Sequence, residues 1–323
     1  MTRWGRLLRA DWIGLAVLIL AGAAALSLAR PEFLTPYNID VILVGFCLTV
    51  VVALGQGIII AIGHMNLALG ATGCLVAVAF GGSMQFWGFP TWAAVLFGLL
   101  LGTACGFVNG WLTYRSGLTS FIVTLATLSI FKGASLGITE AQSFNGISDA
   151  ARAFGSDRWG PLPEMLLVAV PVVLATALFL GRTIPGRQML AYGGNPNAAE
   201  LSGISRARVV ILAHTLSGLL AAVAGMMTVA RLQIATPTIG DEWLIASFAA
   251  PVIGGAVLSG GHFPVAGTCL GVLVIALINQ ALVLLAVDPF YVQVLLGLLI
   301  LAAVGANRLR EARLGTGPTL RLS

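Results

Sequence analysis

The chain has 323 residues, of which 58% are hydrophobic and only 9% are charged, with a formal net charge of +5 and a mean hydropathy of +0.98. An ordinary soluble domain has about a quarter of its residues charged, so this composition excludes a soluble fold. The basic residues lie in short segments between apolar stretches rather than on one face, which argues against nucleic acid as a partner and makes them a guide to membrane topology.

Apolar stretches predict about ten transmembrane helices, since a helix needs about 20 residues of low polarity to cross the hydrocarbon core. We therefore predict an all-α membrane protein, a polytopic helix bundle that forms one transmembrane domain over residues 1–323 and is surrounded by membrane lipid. In chain order the predicted spans are 13–29, 41–62, 67–80, 91–112, 119–138, 164–181, 208–230, 244–260, 264–286 and 290–306.

The arginines predict that both termini lie in the cytoplasm. With a cytoplasmic N-terminus, most of the 17 basic residues fall in inner segments, as the positive-inside rule requires. Two connections between spans are long, a cytoplasmic one at 182–207 and a periplasmic one at 139–163. The periplasmic connection is a candidate docking place for a partner.

Glycines and polar side chains interrupt the apolar pattern between the second and third spans, at Gly63-His64-Met65-Asn66-Leu67-Ala68-Leu69-Gly70. This pattern predicts a break in the helix. Irregular backbone at membrane depth is found where it is buried in protein or lines a wet cavity, and in transporters such breaks often mark the substrate path. A plain turn between two spans is the competing interpretation.

The fourth span carries glycines at strict four-residue spacing. This spacing places them on one helix face, where the absence of side chains lets a neighbouring backbone approach closely. We predict that this helix is buried and packs through Gly98, Gly102, Gly106 and Gly110.

Few polar side chains lie within the predicted spans, and most are neutral amides. An amide offers both donors and an acceptor, which suits a neutral solute rich in hydroxyl groups. Amides also join helices to one another in lipid, so each has a structural interpretation beside the functional one. Lys132 lies toward the outer end of its span and is interpreted first as a structural residue that extends to the membrane interface, and second as a pathway residue. The substrate-pathway candidates are Gln56, His64, Asn66, Asn109, Lys132 and Asn279.

Other kinds of chemistry lack the residues that they need. His64, His214 and His262 stand alone, and the four cysteines are spread along apolar stretches, so no metal site is predicted. No nucleophile with an adjacent base is visible, and an enzyme is not expected. The acidic residues lie at outer ends or in loops, which weakens the alternative of a self-sufficient secondary transporter or channel for a small neutral solute. No GxxxxGK[ST] sequence is present, so ATP and magnesium are expected in a separate ATPase subunit, with no cofactor in this chain.

Three stretches carry a resemblance to a known family. The first comprises Phe33, Thr35 and Asn38 and then the run from Val51 to Gln56. The second runs from Thr124 to Gly133. The third and most specific runs from Gly186 to Ile204 with the sequence GRQMLAYGGNPNAAELSGI. On these stretches the chain resembles the ribose-type permeases of bacterial ABC sugar importers. The resemblance covers most of the chain.

The resemblance implies a permease subunit in the bacterial inner membrane that carries a monosaccharide or sugar-like solute inward. It implies three kinds of partner: cytoplasmic ATP-binding subunits, a periplasmic solute-binding protein and a second permease. Asn195 is suited to cap a short helix and Gly203 to end it. The resemblance implies that this helix couples the ATPase to the spans through Asn195, Ala199, Glu200 and Gly203.

The break between the second and third spans departs from the family pattern, Gly-Gly-Ile-Asp-Leu-Ser-Val-Gly. Here His64 replaces the second glycine, Asn66 replaces the acid and Ala68 replaces the serine. A charge and a hydroxyl are lost and bulk is added. Either a different solute or pairing with a non-identical permease explains the change.

Overall fold

The structure is a computed structural model that describes residues 13–160 and 162–287 and, beyond them, the single positions 291, 294, 297, 298, 301 and 305. Within these residues the chain forms twelve α-helices, a 3-10 helix at Pro31–Leu34 and one short β-hairpin. The helices are α1 Ile13–Ala29, α2 Pro36–Ala61, α3 Leu69–Trp87, α4 Thr91–Ser116, α5 Ser120–Thr139, α6 Asp149–Ser156, α7 Leu166–Arg182, α8 Ile184–Gly194, α9 Pro196–Leu201, α10 Arg206–Leu232, α11 Trp243–Ile253 and α12 Val265–Leu284. The hairpin pairs β1, Arg158–Trp159, with β2, Leu162–Pro163, in antiparallel fashion.

Six of these helices, α2, α3, α4, α5, α10 and α12, are long and apolar enough to cross a membrane. The all-α membrane class is therefore confirmed. The pair α7 and α8 counts as a seventh candidate if it forms one bent span, while α1 and α11 are shorter apolar helices. The predicted span at 290–306 lies outside the continuously described residues, so the predicted number of about ten remains a prediction.

The predicted span 164–181 agrees with α7, after which the chain turns sharply, whereas the span predicted at 244–260 differs from the helix observed. The chain bends by 71° between α7 and α8. Thr183 caps the new helix there, because its hydroxyl accepts a hydrogen bond from Gly186 N at 3.1 Å and Pro185 follows as a helix-starting residue. The span predicted at 244–260 is helical only to Ile253, since Gly254 and Gly255 follow directly.

Helix α2 lies at the centre of the bundle. It begins with Thr35 as its cap and Pro36 in its first turn. Every residue from Val50 to Ile62 is buried, in keeping with an apolar sequence that has no polar face. Helices α10, α11 and α12 pack around it and form the main core.

Helices α4 and α10 pack along the four evenly spaced glycines. A methyl group added at Gly102 would lie 2.7 Å from the carbonyl oxygen of Gly218, and one at Gly110 would lie 2.7 Å from the Cα of Ile211. One at Gly106 would overlap the carbonyl oxygen of His214. Gly98 faces a side chain instead, with the sulfur of Met226 2.7 Å from an added methyl group. The two backbones therefore touch from Gly102 to Gly110, which only residues without side chains permit. The prediction of a buried helix holds for this face alone, since most other residues of α4 are not buried.

The segment 139–163 folds over one end of the bundle. Phe144 and Ala235 exchange two backbone hydrogen bonds of 2.8 and 2.9 Å, and α6 packs on the end of α10. Arg158 in β1 forms an ion pair of 2.9 Å with Asp40 in α2. This connection is therefore tied to the helices beneath it.

Candidate solute pathway and coupling segment

The segment 62–68, called the break segment below, interrupts the bundle between α2 and α3. Side chains from α5 satisfy its backbone: Met65 N donates to Ser120 Oγ and Leu67 N donates to Thr124 Oγ1, each at 3.1 Å. Ala68 N donates to the Oδ1 of Asn66 at 3.0 Å, a local turn that starts α3. Unsatisfied backbone groups are costly away from water, so these bonds are what allow irregular chain to lie inside the bundle.

Gln56 holds the break segment from the side of α2. It is fully buried, and its amide pairs with the backbone of Asn66: Nε2 donates to Asn66 O at 3.0 Å and Oε1 accepts from Asn66 N at 3.2 Å. The side-chain amide thus forms one donor and one acceptor bond with the same residue, as two paired peptide groups do in a β-sheet. Both amide atoms are engaged, so the contacts of Gln56 give it a structural role.

Asn66 links the break segment to α10. Its Nδ2 donates to Ser217 Oγ at 3.0 Å, and both residues are buried. The acid of the family pattern is replaced here by a neutral amide whose partner is a neutral hydroxyl. The link therefore carries no net charge.

His64 in the break segment faces His214 on α10, and Asn109 is a third polar residue, buried on the neighbouring helix α4. The two imidazole rings have centroids 6.0 Å apart and are tilted by 54°. Asn109 lies on α4 next to Gly110, whose backbone contacts His214. His214 and Asn109 are buried, and His64 is half-buried.

Several polar atoms of these three residues have no hydrogen-bond partner within the described part of the chain. They are His64 Nδ1, His214 Nδ1 and Nε2, and both amide atoms of Asn109. Buried polar groups are normally paired, and each one left without a partner costs about 1–3 kcal/mol. These buried polar groups, which lack a partner among the described residues, mark the three residues as candidates for contact with a small hydroxyl-bearing molecule when the bundle opens.

The pathway candidates predicted from the sequence do not include His214. This residue lies in a long apolar helix next to Thr215, and nothing in the sequence indicates what lies opposite it. Its place beside His64 depends on how α10 packs against the break segment, and one sequence does not contain that packing.

The other two pathway candidates lie elsewhere. Lys132 donates from Nζ to Pro237 O at 2.6 Å and forms an ion pair with Asp241, so it joins α5 to the loop before α11. Asn279 is exposed on α12, a helix that packs on α11 and α2. The structure thus brings Gln56, His64 and Asn66 together in the break segment and its anchor, with Asn109 on the neighbouring helix.

The predicted coupling residues surround α9. Asn195 caps the helix, with Oδ1 accepting from Ala198 N at 3.0 Å, and Gly203 follows it with a φ of +84°. Ala199 is 5% exposed and packs into the main core. Glu200 is exposed, and Leu201 is 92% exposed. The helix is thus anchored on one face and presents a carboxylate and an apolar side chain on the other.

The six long apolar helices define a multi-pass membrane protein. Residues 38–304 match the family described as "Branched-chain amino acid transport system / permease component", and the chain belongs to that family. The chain is therefore a multi-pass protein of the bacterial inner membrane.

Curated relatives match the chain over most of its length. The ribose import permease protein RbsC of Bacillus subtilis is 34% identical over 308 residues, which cover 93% of this chain and 92% of that protein. The D-allose transport system permease protein AlsC of Escherichia coli is 34% identical over 284 residues, or 88% and 87%. The fructose import permease protein FrcC of Rhizobium meliloti is 33% identical over 304 residues, or 92% and 84%. The resemblance to ribose-type permeases is confirmed, and no solved structure gives a significant match.

Proposed function

We propose that this chain is the membrane-spanning permease subunit of an ATP-binding-cassette importer for a monosaccharide or a sugar-like solute. The observation that carries the proposal is the similarity, over about nine-tenths of the chain, to relatives named as ribose, allose and fructose permeases. The family description names amino acids instead. The neutral polar groups beside the break segment favour the sugar, because an amino acid carries two charges that such groups do not balance.

The solute would meet His64, His214 and Asn109 as it passes the break segment. These side chains supply donors and acceptors without a fixed carboxylate or ammonium, and they have no partner within the described residues. Such a lining can replace some of the water contacts of a hydroxyl-rich molecule without binding it tightly. Asn66 and Gln56 would hold the segment in place rather than contact the solute.

Helix α9 would receive the movement of cytoplasmic ATP-binding subunits, which would bind the ATP and magnesium. Glu200 and Leu201 are the exposed side chains that such a subunit could contact. A second permease would complete the membrane part, and a periplasmic solute-binding protein would dock on the segment 139–163. Lys132 and Asp241 lie near that docking side.

The topology that fits this function has about ten spans and both termini in the cytoplasm. The six long helices, α7, the shorter helices α1 and α11, and the stretch 290–306 would supply these spans. The connection 182–207, with its arginines, then lies in the cytoplasm, and 139–163 lies in the periplasm.

Purification and uptake test the proposal together. The tagged chain is purified in mild detergent, co-purifying proteins are identified by mass spectrometry, and uptake of labelled ribose, allose, fructose and leucine is measured in cells. We expect a co-purifying ATPase and ATP-dependent uptake of a sugar. Uptake of leucine alone would overturn the sugar assignment, and uptake that needs an ion gradient but no ATPase would favour the secondary transporter.

A further inference from the structure

Three backbone segments that are distant in sequence meet at the start of the break segment. They are the end of α2 with the first residues of the break segment, at Ala61 and Gly63, the end of α8 at Gly193 and Gly194, and the loop after α11 at Ser259 to Gly261. Gly261 N donates to Ala61 O at 3.0 Å. We call Gly63, Gly193, Gly194, Gly260 and Gly261 the glycine junction.

Backbone touches backbone throughout the glycine junction. A methyl group added at Gly260 would lie 2.6 Å from Gly63 N and 2.7 Å from Gly193 O. One added at Gly193 would overlap Ala61 O and lie 2.6 Å from Gly261 N. With no side chain between them, the segments have no rotamer that could absorb a displacement. A shift of one segment must therefore move the others.

The junction lies between the two parts of the molecule that the proposed function uses. Gly194 directly precedes Asn195, the cap of α9, and Gly63 directly precedes His64 in the break segment. Helix α9 is also fixed to the core by Ala199, so it cannot move independently of the residues before it. The path from α9 to the break segment is thus one continuous set of packed backbones.

We propose that the glycine junction transmits the displacement of α9 to the break segment and to the loop 254–264, and that Gly193 is the positioning residue that keeps the three in contact. This rests on the proposed function, because the displacement would come from the ATPase. A contiguous packed path alone does not establish coupling, since coupling requires that both ends change state together. That joint change is what an experiment must detect.

Hydrogen–deuterium exchange on the assembled transporter directly detects a joint change of α9 and the break segment. Uptake of deuterium is compared between the nucleotide-free complex and the complex with magnesium-ATP and orthovanadate. We expect peptides covering 190–204 and 59–68 to change together. A change at 190–204 with none at 59–68 would overturn the inference and leave the proposed function standing. A chain that never associates with an ATPase would overturn both.

A pair of matched variants gives the functional readout. Gly193 is helical, so G193A changes only the space available, and G45A is its control because Gly45 in α2 has nothing within 4 Å. We expect G193A to keep ATP hydrolysis while its uptake falls about tenfold, and G45A to resemble the wild type. Wild-type uptake by an assembled G193A complex would contradict the inference. If G193A does not assemble, the exchange experiment on the unaltered complex decides.

Discussion

The amide Nδ2 of Asn66 donates to the hydroxyl of Ser217 at 3.0 Å, and this bond joins the break segment to α10 across 151 positions of sequence. Both residues are buried, so the bond forms away from water. It is the counterpart of the link that Gln56 makes from α2. The geometry of the break segment therefore depends on a small number of neutral hydrogen bonds.

Removing the hydroxyl of Ser217 should lower the thermal stability of the purified protein. In S217A the buried Nδ2 of Asn66 loses its acceptor, at a cost of about 1–3 kcal/mol. The control is T215A, since the hydroxyl of Thr215 bonds only within its own helix, to Ile211 O at 2.7 Å. We expect the unfolding midpoint to fall clearly more in S217A than in T215A. Equal midpoints would show that the Asn66 link contributes little.

Filling the contact between α4 and α10 should destabilise the bundle. The added methyl group of G106A would overlap the carbonyl oxygen of His214, and such overpacking costs about 1–3 kcal/mol. The control is G22A in α1, where nothing lies within 4 Å and alanine is the better helix former. Fluorescence-detected size-exclusion chromatography after heating compares the two variants. A G106A protein as stable as G22A would mean that the helices can separate at little cost.

Replacing His214 should separate transport from stability. Both ring nitrogens lack a partner in the described part of the chain, so H214L removes no protein hydrogen bond and should unfold at a temperature equal to or above that of the wild type. If His214 contacts the solute, uptake at low solute concentration should fall about tenfold, the equivalent of one hydrogen bond. H214Q keeps a donor and an acceptor and should retain more uptake than H214L. Full uptake by H214L would remove this residue from the pathway.

Changing the exposed face of α9 should abolish association with the ATPase while leaving the bundle intact. Leu201 is almost fully exposed, so L201D introduces a charge without a cavity. We expect the variant to purify in normal yield but without the ATPase. E200Q removes the neighbouring charge at constant size and serves as the milder variant. Unchanged co-purification in both would place the docking surface elsewhere.

The sequence predicts the fold class well and the pathway only in part. Apolar length identifies the long helices, and the spacing of Gly98 to Gly110 is by itself enough to indicate a packing face. The bend at Thr183 also has a local signal in the sequence, a capping residue followed by Pro185. His214 has no such signal, because its importance depends on which helix lies opposite it.

Lys132 and Asn279 show a related limit. Both are polar residues in apolar helices, and sequence alone ranks them with His64. The structure separates them, since Lys132 is paired with Asp241 and Asn279 is exposed on a helix that packs on α11 and α2. Composition indicates which side chains are unusual in a membrane, but only packing shows which of them face one another.

The neutral anchoring of the break segment has a consequence for the energetics of the working cycle. Moving one elementary charge through a membrane potential of 100 mV changes the free energy by about 2.3 kcal/mol. The side chains that hold this segment, Gln56, Ser120, Thr124 and Ser217, carry no charge. When the segment rearranges, these anchors transfer no charge across the electric field. The step should therefore be electrically silent, and uptake of a neutral solute should proceed at the same rate in polarised and depolarised vesicles.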